Sequence, residues 1–566
     1  MTVARSIIEA LKAENVRYLF GLPGGDSRKM LYDALYDDPS VIKHILVRHP
    51  QSAPFMALAS SRLTGEPTIC HATGGPGVAN LFVGMGEAYS SCAPVIALVP
   101  SLPMAVDGRG AHHEMDNLSA FKSVTKWAAR VEVAQKVPWC LRRAFSIACN
   151  GKPGPVYLEF PEELEATNIP PYVPSIRPIR TAGSPERVSE AADFLLKSHR
   201  PVIISGGGAI SSKAFQEIPE LAELLCAPIF TSPTGRGIVP EDHPLILGST
   251  GAYRNEIADR FYGEADLVIS VGFRFELVES LKFNWFPKSA KLIQIDIDSF
   301  EIGRNLIPDV AIVGDAKLVL RQIIEALKEK MEKKPLKSMP RLQEIIKAKK
   351  EYEDAIEKEI EGCTPVSAAR VLRDLGRVFG KDTILALENG AVDIWAYFFP
   401  FYKMLEMGPA VGAVDGLNCM GAGVAGAIGA KITVPGKKVA CITGDGAFQM
   451  LMHELPVTVQ YKAPVTFIVF NNFALGWVKY GQKVLLKERF IDTDFDIVPD
   501  FTKFAESCKC YGEKVEKPDQ VTAALKRALH ANQDGQSAVL DIIMPSDWWN
   551  RQPKAWTENM TIGTKL

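Results

Sequence analysis

No apolar run in this chain reaches the ~18 residues that a membrane-spanning helix needs, so the sequence offers no membrane partner. Neither sign of charge dominates: 64 Lys and Arg stand against 66 Asp and Glu, a formal net charge of −2. That balance removes the electrostatic case for nucleic acid. Cysteine pairing is also missing. The ten cysteines are scattered, several within apolar runs (Cys226, Cys441), and Cys508 and Cys510 have no second pair to complete a zinc site. Such usage predicts reduced, mostly buried thiols and a cytoplasmic location. The opening MTVARSIIEALKAENV has the spacing of an amphipathic helix, not the pattern of a signal peptide.

What is present is a large α/β chain. With 566 residues, 47% of them hydrophobic, about three domains of the usual ~100–200 residues are expected. Two segments divide it. Ile169–Ser184 carries four prolines and reads as an extended linker, and Leu327–Cys363 is rich in Lys and Glu with apolar positions at helical spacing. Strand-like runs alternate with helical stretches in all three parts, among them VIALVP (95–100), PVIISG (201–206), ADLVISVG (265–272) and KLIQIDI (291–297). Alternation of this kind predicts parallel, doubly wound sheets.

The most informative pattern is Gly444-Asp445-Gly446, followed after 24 residues by Asn471-Asn472. Lys437–Thr443 reads as a buried strand, Ala447–Tyr461 as a helix despite Pro456, and Val465–Phe470 as a second strand. In such a βαβ unit both strands end on one rim, where ligands of open parallel sheets bind. One carboxylate and one carboxamide would meet there beside a helix start. These are hard oxygen donors, suited to Mg²⁺ that shares its shell with substrate phosphates. The flanking glycines admit phosphate oxygens to the backbone. Two other patterns carry no nucleotide site. GAGVAG (421–426) matches GxGxxG but has no convincing strand before it, and close helix packing explains it better. GRVFGK (376–381) is one residue short of a P-loop and lacks the Ser/Thr after Lys381.

GDGAF…NN, with FGLPGG (20–25), ATGGPGVANL (72–81), VTKWAARV (124–131), GPVYLEFPEEL (154–164), IQIDIDSFEIGRN (293–305) and MGAGVAGAIGAK (420–431), resembles the thiamine-diphosphate-dependent enzymes. The likeness extends over nearly the whole chain. It is nearest the acetolactate synthase branch, which also holds pyruvate decarboxylase, glyoxylate carboligase and 2-hydroxyacyl-CoA lyases. The resemblance implies a pyrimidine-binding domain over 1–168, a central domain over 185–328, a diphosphate-binding domain over 364–550 and a tail over 551–566. It further implies a homodimer or homotetramer, with each cofactor between the pyrimidine domain of one subunit and the diphosphate domain of another. By position, Asp445, Asn472 and the Ala474 carbonyl would hold Mg²⁺. Gly444, Gly446, Ala447 and Gly476 would face the diphosphate. Met420 would bend the cofactor, and the Asn418 carbonyl would receive its aminopyrimidine amino group.

The chain departs from the family at Pro50. A glutamate that activates the aminopyrimidine is expected after Val47-Arg48-His49, and proline offers neither a carboxylate nor an N–H. Glyoxylate carboligase resembles this case and is active. On the substrate side, Gly25, Asp26, His112 and His113 stand where proton-handling groups are expected. An imidazole near neutrality can give or take a proton; Asp26 as a helix cap and the histidines as solvated loop residues are the plainer alternatives. His71 reads as a packed strand-end residue. Gly206–Gly208 and Gly248–Gly251 resemble flavin-contacting turns, but Glu276-Leu277-Val278-Glu279 replaces the Asp-rich stretch that should follow, which counts against FAD. The implied reaction is C–C cleavage or formation on a 2-oxo acid or related carbonyl compound, as in acetolactate synthesis. A decarboxylase releasing an aldehyde, a 2-hydroxyacyl-CoA lyase and a weakly active cofactor-binding paralogue are the alternatives. Trp548–Trp556 reads as a lid or an interface anchor.

Overall fold

The computed structural model describes residues 2–39, 42–164, 168–330, 340–361, 366–414, 416–545 and 554–563. Among these residues, eighteen strands form three parallel six-stranded sheets. The first holds β1 (Tyr18–Leu22), β2 (Lys43–Leu46), β3 (Thr68–Ala72), β4 (Val95–Ser101), β5 (Trp127–Arg130) and β6 (Val156–Pro161). The second holds β7 (Pro201–Ser205), β8 (Ile229–Thr231), β9 (Ile246–Ser249), β10 (Leu267–Val271), β11 (Lys291–Asp296) and β12 (Val310–Val313). The third holds β13 (Thr383–Leu387), β14 (Val411–Gly412), β15 (Lys438–Gly444), β16 (Thr466–Asn471), β17 (Tyr511–Val515) and β18 (Ala538–Ile543).

The strand orders locate the sites. The first sheet runs β2-β1-β3-β4-β6-β5 and the third β14-β13-β15-β16-β18-β17, the same topology strand for strand. The second runs β12-β11-β10-β7-β8-β9, the 3-2-1-4-5-6 order of the dinucleotide-binding fold read from its other edge. Winding reverses between β1 and β3, between β7 and β10, and between β13 and β15. Ligands of doubly wound sheets bind in the crevice at that reversal. Interior strands are buried on both faces, as β3 (TICHA) and β7 (PVIIS) show along their whole length.

Several sequence readings are met and some corrected. The amphipathic first helix spans Val3–Ala13. The helix expected over 447–461 is interrupted: Asp445–Leu451 is helical, Met452–Glu454 is a 3₁₀ turn, and a second helix, Leu455–Gln460, carries Pro456 in its first turn. Proline lacks the N–H that a continuous helix would use there, so the chain restarts instead. Residues 168–184 contain no helix or strand, as a linker should, yet they are strapped down. Glu14 receives Tyr172 Oη at 2.5 Å, Ser175 N at 2.6 Å and Arg177 Nε at 2.9 Å. In the Lys/Glu-rich segment, Ala316–Lys330 and Pro340–Glu361 are helices, and 331–339 and 362–365 lie outside the described residues. The small residues of 421–429 serve packing. A Cβ on Gly429 would sit 2.6 Å from Met56 Cα, and one on Gly423 2.5 Å from Leu387 O. The helix Ala422–Thr433 thereby lies close against Ser52–Thr64 of the first domain. No described helix is long and apolar enough to cross a membrane.

Candidate active site

At the reversal between β13 and β15 a cavity opens on the carboxyl-terminal rim. Met420, Gly444, Asp445, Gly446, Ala447, Asn472, Ala474 and Gly476 all line it, so the structure brings together eight sequence-predicted positions. The register Gly444↔Phe470 places Asp445 beside the Asn471-Asn472 pair. The two asparagines divide the work. Asn471 is buried and donates Nδ2 to Asp541 Oδ1 at 3.0 Å, which fixes the strand end, and Asn472 faces the cavity. Asp445 is only 1% exposed. Its Oδ1 accepts Gly446 N at 2.9 Å and its Oδ2 accepts Ala474 N at 3.2 Å. Burial nevertheless pushes its carboxyl up to about 7. A buried carboxylate so poorly compensated suits a cation. Among the described residues no three His, Cys, Asp or Glu side chains form a metal cage. Mg²⁺ would therefore draw its remaining ligands from Asn472, the Ala474 carbonyl and phosphate oxygens, the shell this ion prefers.

The raised Asp445 carboxyl has a consequence for stability. Between about pH 4, where it titrates in the unfolded chain, and about 7, where it titrates folded, the native state holds a proton that the unfolded state has released. Metal-free stability from this group therefore falls as pH rises through that window, by at most ~1.4 kcal/mol per pH unit. Asp445→Asn should remove that slope and raise the metal-free melting temperature at pH 8. Melting curves at pH 5 and 8 with no gain from the variant would contradict the assignment.

Sequence reasoning missed several buried groups around this cavity. Glu388, at the end of β13, receives Gly421 N and Val424 N, each at 2.8 Å, and so fixes the start of the helix behind Met420. Glu87, from the helix Pro76–Ser90, receives Cys419 N at 2.8 Å and anchors the 417–420 segment to the first domain. Asp393 binds Asn418. Asn418 has a left-handed backbone (φ +54°), and its carbonyl, the atom expected to receive the aminopyrimidine, already accepts Asn389 Nδ2 at 2.6 Å. The Glu388-Asn389-Gly390 turn directly after an apolar run was the available signal. Nothing in the sequence signals Glu87.

A second cavity lies at the β1/β3 reversal and contains Gly25, Asp26, His112 and His113 together. The two imidazoles stack at 3.9 Å between centroids. Asp26 is held fast, accepting Thr73 Oγ1 at 2.7 Å and Gly74 N at 2.6 Å, so it ties the 23–27 turn to the 73–75 turn. His71 is fully buried as a strand-end residue. Its Nδ1 donates to Leu98 O at 2.7 Å, its Nε2 lies 3.0 Å from Ser27 Oγ, and burial lowers its pKa to about 4. Pro50 is buried just before the helix Ser52–Thr64 and lines neither cavity. The diphosphate-side positions and Gly25, Asp26, His112 and His113 thus line different cavities.

A third cavity marks the β7/β10 reversal. Gly207 and Gly208 line it with Arg274, Asp296, Glu301 and Asp315. A Cβ on Gly206 would sit 2.1 Å from Gly272 O, so the turn admits only glycine there. Burial lifts the Asp296 carboxyl to about 6. Residues 248–251 are absent from this lining; Ser249 Oγ donates to Tyr397 O instead. In the tail, 546–553 lies outside the described residues, but Lys554–Thr561 is helical and Trp556 is buried against Trp395 and Trp477. That contact holds this part of the tail against two residues of the cavity lining.

Three doubly wound sheets with an acid-and-amide rim site define a cofactor-dependent α/β enzyme. Family models for the thiamine pyrophosphate enzymes match in chain order: the N-terminal TPP binding domain over 1–120, the central domain over 188–323 and the C-terminal TPP binding domain over 388–542. The chain is 37% identical to a probable acetolactate synthase large subunit of Methanocaldococcus jannaschii, over 96% of this chain and 92% of that one. It is 31% identical to an acetolactate synthase of Mycobacterium bovis, covering 97% and 88%, and 30% identical to the acetolactate synthase isozyme 3 large subunit of Escherichia coli, covering 96% and 94%. The chain belongs to the thiamine pyrophosphate enzyme family, among relatives of the acetolactate synthase type.

Proposed function

We propose that the protein is a Mg²⁺- and thiamine-diphosphate-dependent carboligase that joins two carbonyl compounds, at least one of them a 2-oxo acid, as acetolactate synthases do. The convergence of Asp445, Asn472, Ala474 and Met420 on one cavity carries this reading. Asp445, Asn472 and the Ala474 carbonyl hold the metal, Gly446 and Ala447 present backbone N–H groups to the diphosphate, and Gly444 and Gly476 leave room for it. Thiamine diphosphate held there would supply the nucleophilic carbon that C–C cleavage and formation beside a carbonyl require. Gly25 and Asp26 shape the substrate half, and His112 and His113 hold or pass protons within it.

The two sets of positions line different cavities of one chain, which supports a site shared between subunits. A homodimer, or a tetramer built from it, completes them by placing one subunit's pyrimidine domain over another's diphosphate domain. The apolar side chains exposed near these rims, Val83, Tyr89, Leu417, Met450, Phe473 and Val478, suit such burial. The proposed domains are 1–168, 185–328 and 364–550. FAD in the third cavity draws support from the Gly206–Gly208 turn alone, since 248–251 does not line it, and a flavin-free enzyme is the better reading. All nine described cysteines are free, consistent with a cytoplasmic setting.

Incubation with pyruvate, Mg²⁺ and cofactor should yield acetolactate. Acetaldehyde instead would favour simple decarboxylation, the reading to which the His112–His113 stack points. No turnover on a broad panel of 2-oxo acids, despite tight cofactor binding, would point to a binding paralogue. Pro50 gives a separate prediction. Pro50→Glu should speed hydrogen–deuterium exchange at C2 of bound cofactor. Turnover need not follow, because a carboxylate in an apolar setting carries a desolvation cost. Exchange that is already fast and unchanged by the substitution would show that another group does the glutamate's work.

A further inference from the structure

His71 is fully buried near the end of β3, paired in register with Gly21 at the β1/β3 reversal. An imidazole in such a core costs its desolvation unless its ring nitrogens are engaged. Both are. Nδ1 lies 2.7 Å from Leu98 O, and Nε2 lies 3.0 Å from Ser27 Oγ, itself fully buried. These partners settle where the hydrogens are. A carbonyl oxygen only accepts, so Nδ1 carries the ring hydrogen. Burial keeps the ring neutral, lowering its pKa to about 4 against the opposing pull of Leu98 O and Asp26. Nε2 is then an acceptor, and Ser27 must donate to it. Tyr32 packs edge-on against the ring at 5.5 Å but offers no rival donor, since its hydroxyl is engaged with His44 Nε2 at 3.1 Å.

A hydroxyl has a single hydrogen to give. Ser27 Oγ also stands 3.3 Å from Asp26 Oδ1, so the hydrogen that goes to His71 is withheld from Asp26. His71 takes it because the distance is shorter and because no other described donor reaches its buried Nε2. Asp26 is already served twice, by Thr73 Oγ1 at 2.7 Å and Gly74 N at 2.6 Å, and it borders the second cavity. Hydrogen bonds to an ionised acceptor are the stronger kind. Without an acceptor at position 71, the Ser27 hydrogen would therefore turn to Asp26 and draw its carboxylate toward the core.

We propose that His71 is a positioning residue for the substrate half of the site: by taking the Ser27 hydrogen it keeps the Asp26 carboxylate on the 73–74 turn, in the cavity it shares with Gly25, His112 and His113. The catalytic consequence rests on the carboligase reading; the hydrogen-bond direction does not. The turn has little freedom to compensate. A Cβ on Gly24 would sit 2.0 Å from Thr73 Oγ1, and one on Gly74 2.7 Å from Asp26 Oδ2, so the two loops already touch through their glycines. A carboxylate displaced toward Ser27 leaves both donors of the 73–74 turn unmatched.

The test pairs a spectrum with a suppressor. Nitrogen-15 NMR of labelled histidines in the wild-type protein should show His71 as the neutral Nδ1–H tautomer, its signal assigned by its absence from His71→Gln. His71→Asn sets an amide where Nδ1 stands, able to donate to Leu98 O, and leaves nothing at the Nε2 position. With pyruvate, Mg²⁺ and cofactor, this variant should turn over at least tenfold more slowly than wild type. Adding Ser27→Ala removes the hydrogen that turns on Asp26, so the double variant should recover to within threefold of wild type. A purely structural role predicts the reverse, because a second buried contact has been cut away. His71 found as the Nε2–H tautomer, or a double variant as slow as His71→Asn, overturns the proposal while the carboligase reading stands. The tautomer is read on wild type, so the proposal can fall even where His71→Asn does not fold. Wild type without turnover on any 2-oxo acid overturns the carboligase reading and the catalytic role of His71 together.

Discussion

Asp445→Ala is expected to abolish Mg²⁺-dependent thiamine diphosphate binding while the chain stays folded. Loss of an outer partner of a metal site typically costs ~10–100-fold in affinity, and a direct ligand should cost more. The fold should survive because Asp445 does not hold the sheet together. It accepts from backbone N–H groups of Gly446 and Ala474, and burial disfavours its charge. Calorimetry should show a loss of at least a hundredfold, with far-ultraviolet circular dichroism unchanged. Cofactor affinity equal to wild type would remove Asp445 from the metal site.

Arg236→Ala should give the largest loss of stability of any single change considered. This guanidinium is fully buried and pairs with Glu241 through two bonds, of 2.7 and 2.8 Å. It also donates to Ala396 O and, at 2.6 Å, to Tyr402 O. Glu241 completes the clamp by accepting Met404 N at 2.7 Å. The pair thus pins the central domain to the end of the helix Ala391–Tyr397 and the segment that follows it. Removing one partner leaves the other charge buried and unpaired, a cost of roughly 3–5 kcal/mol. Because three domains share the chain, the effect should appear as an earlier first transition on heating, with weaker cofactor binding. Arg236→Met with Glu241→Leu should restore much of the loss, since neither charge then remains. Unfolding unchanged in Arg236→Ala would show that the clamp contributes nothing.

The rim site was legible because its parts are local. Asp445 and Asn472 belong to one βαβ unit, and the apolar runs around them fix both strand ends, so spacing alone brings the side chains together. Asp26 was singled out in the sequence, but its bonds to the 73–75 turn appear only in the structure. Helix continuity was harder to read: the hydrophobic pattern of 447–461 continues through Pro456, and only the geometry shows the chain restarting there. The buried carboxylates were not legible. Glu87 meets Cys419 across more than three hundred residues, and in sequence it is one more acidic residue on a helix. Asp393 looks like an ordinary first-turn acid, and its bond from Asn418 appears only when the surrounding side chains are placed.

The most direct test of the whole account is a calorimetric titration of the wild-type protein with thiamine diphosphate, once with Mg²⁺ and once with the metal chelated. Saturable binding at one cofactor per chain, lost on chelation, is the predicted result. No binding in either condition, or binding indifferent to the metal, would contradict the site built from Asp445, Asn472 and Ala474.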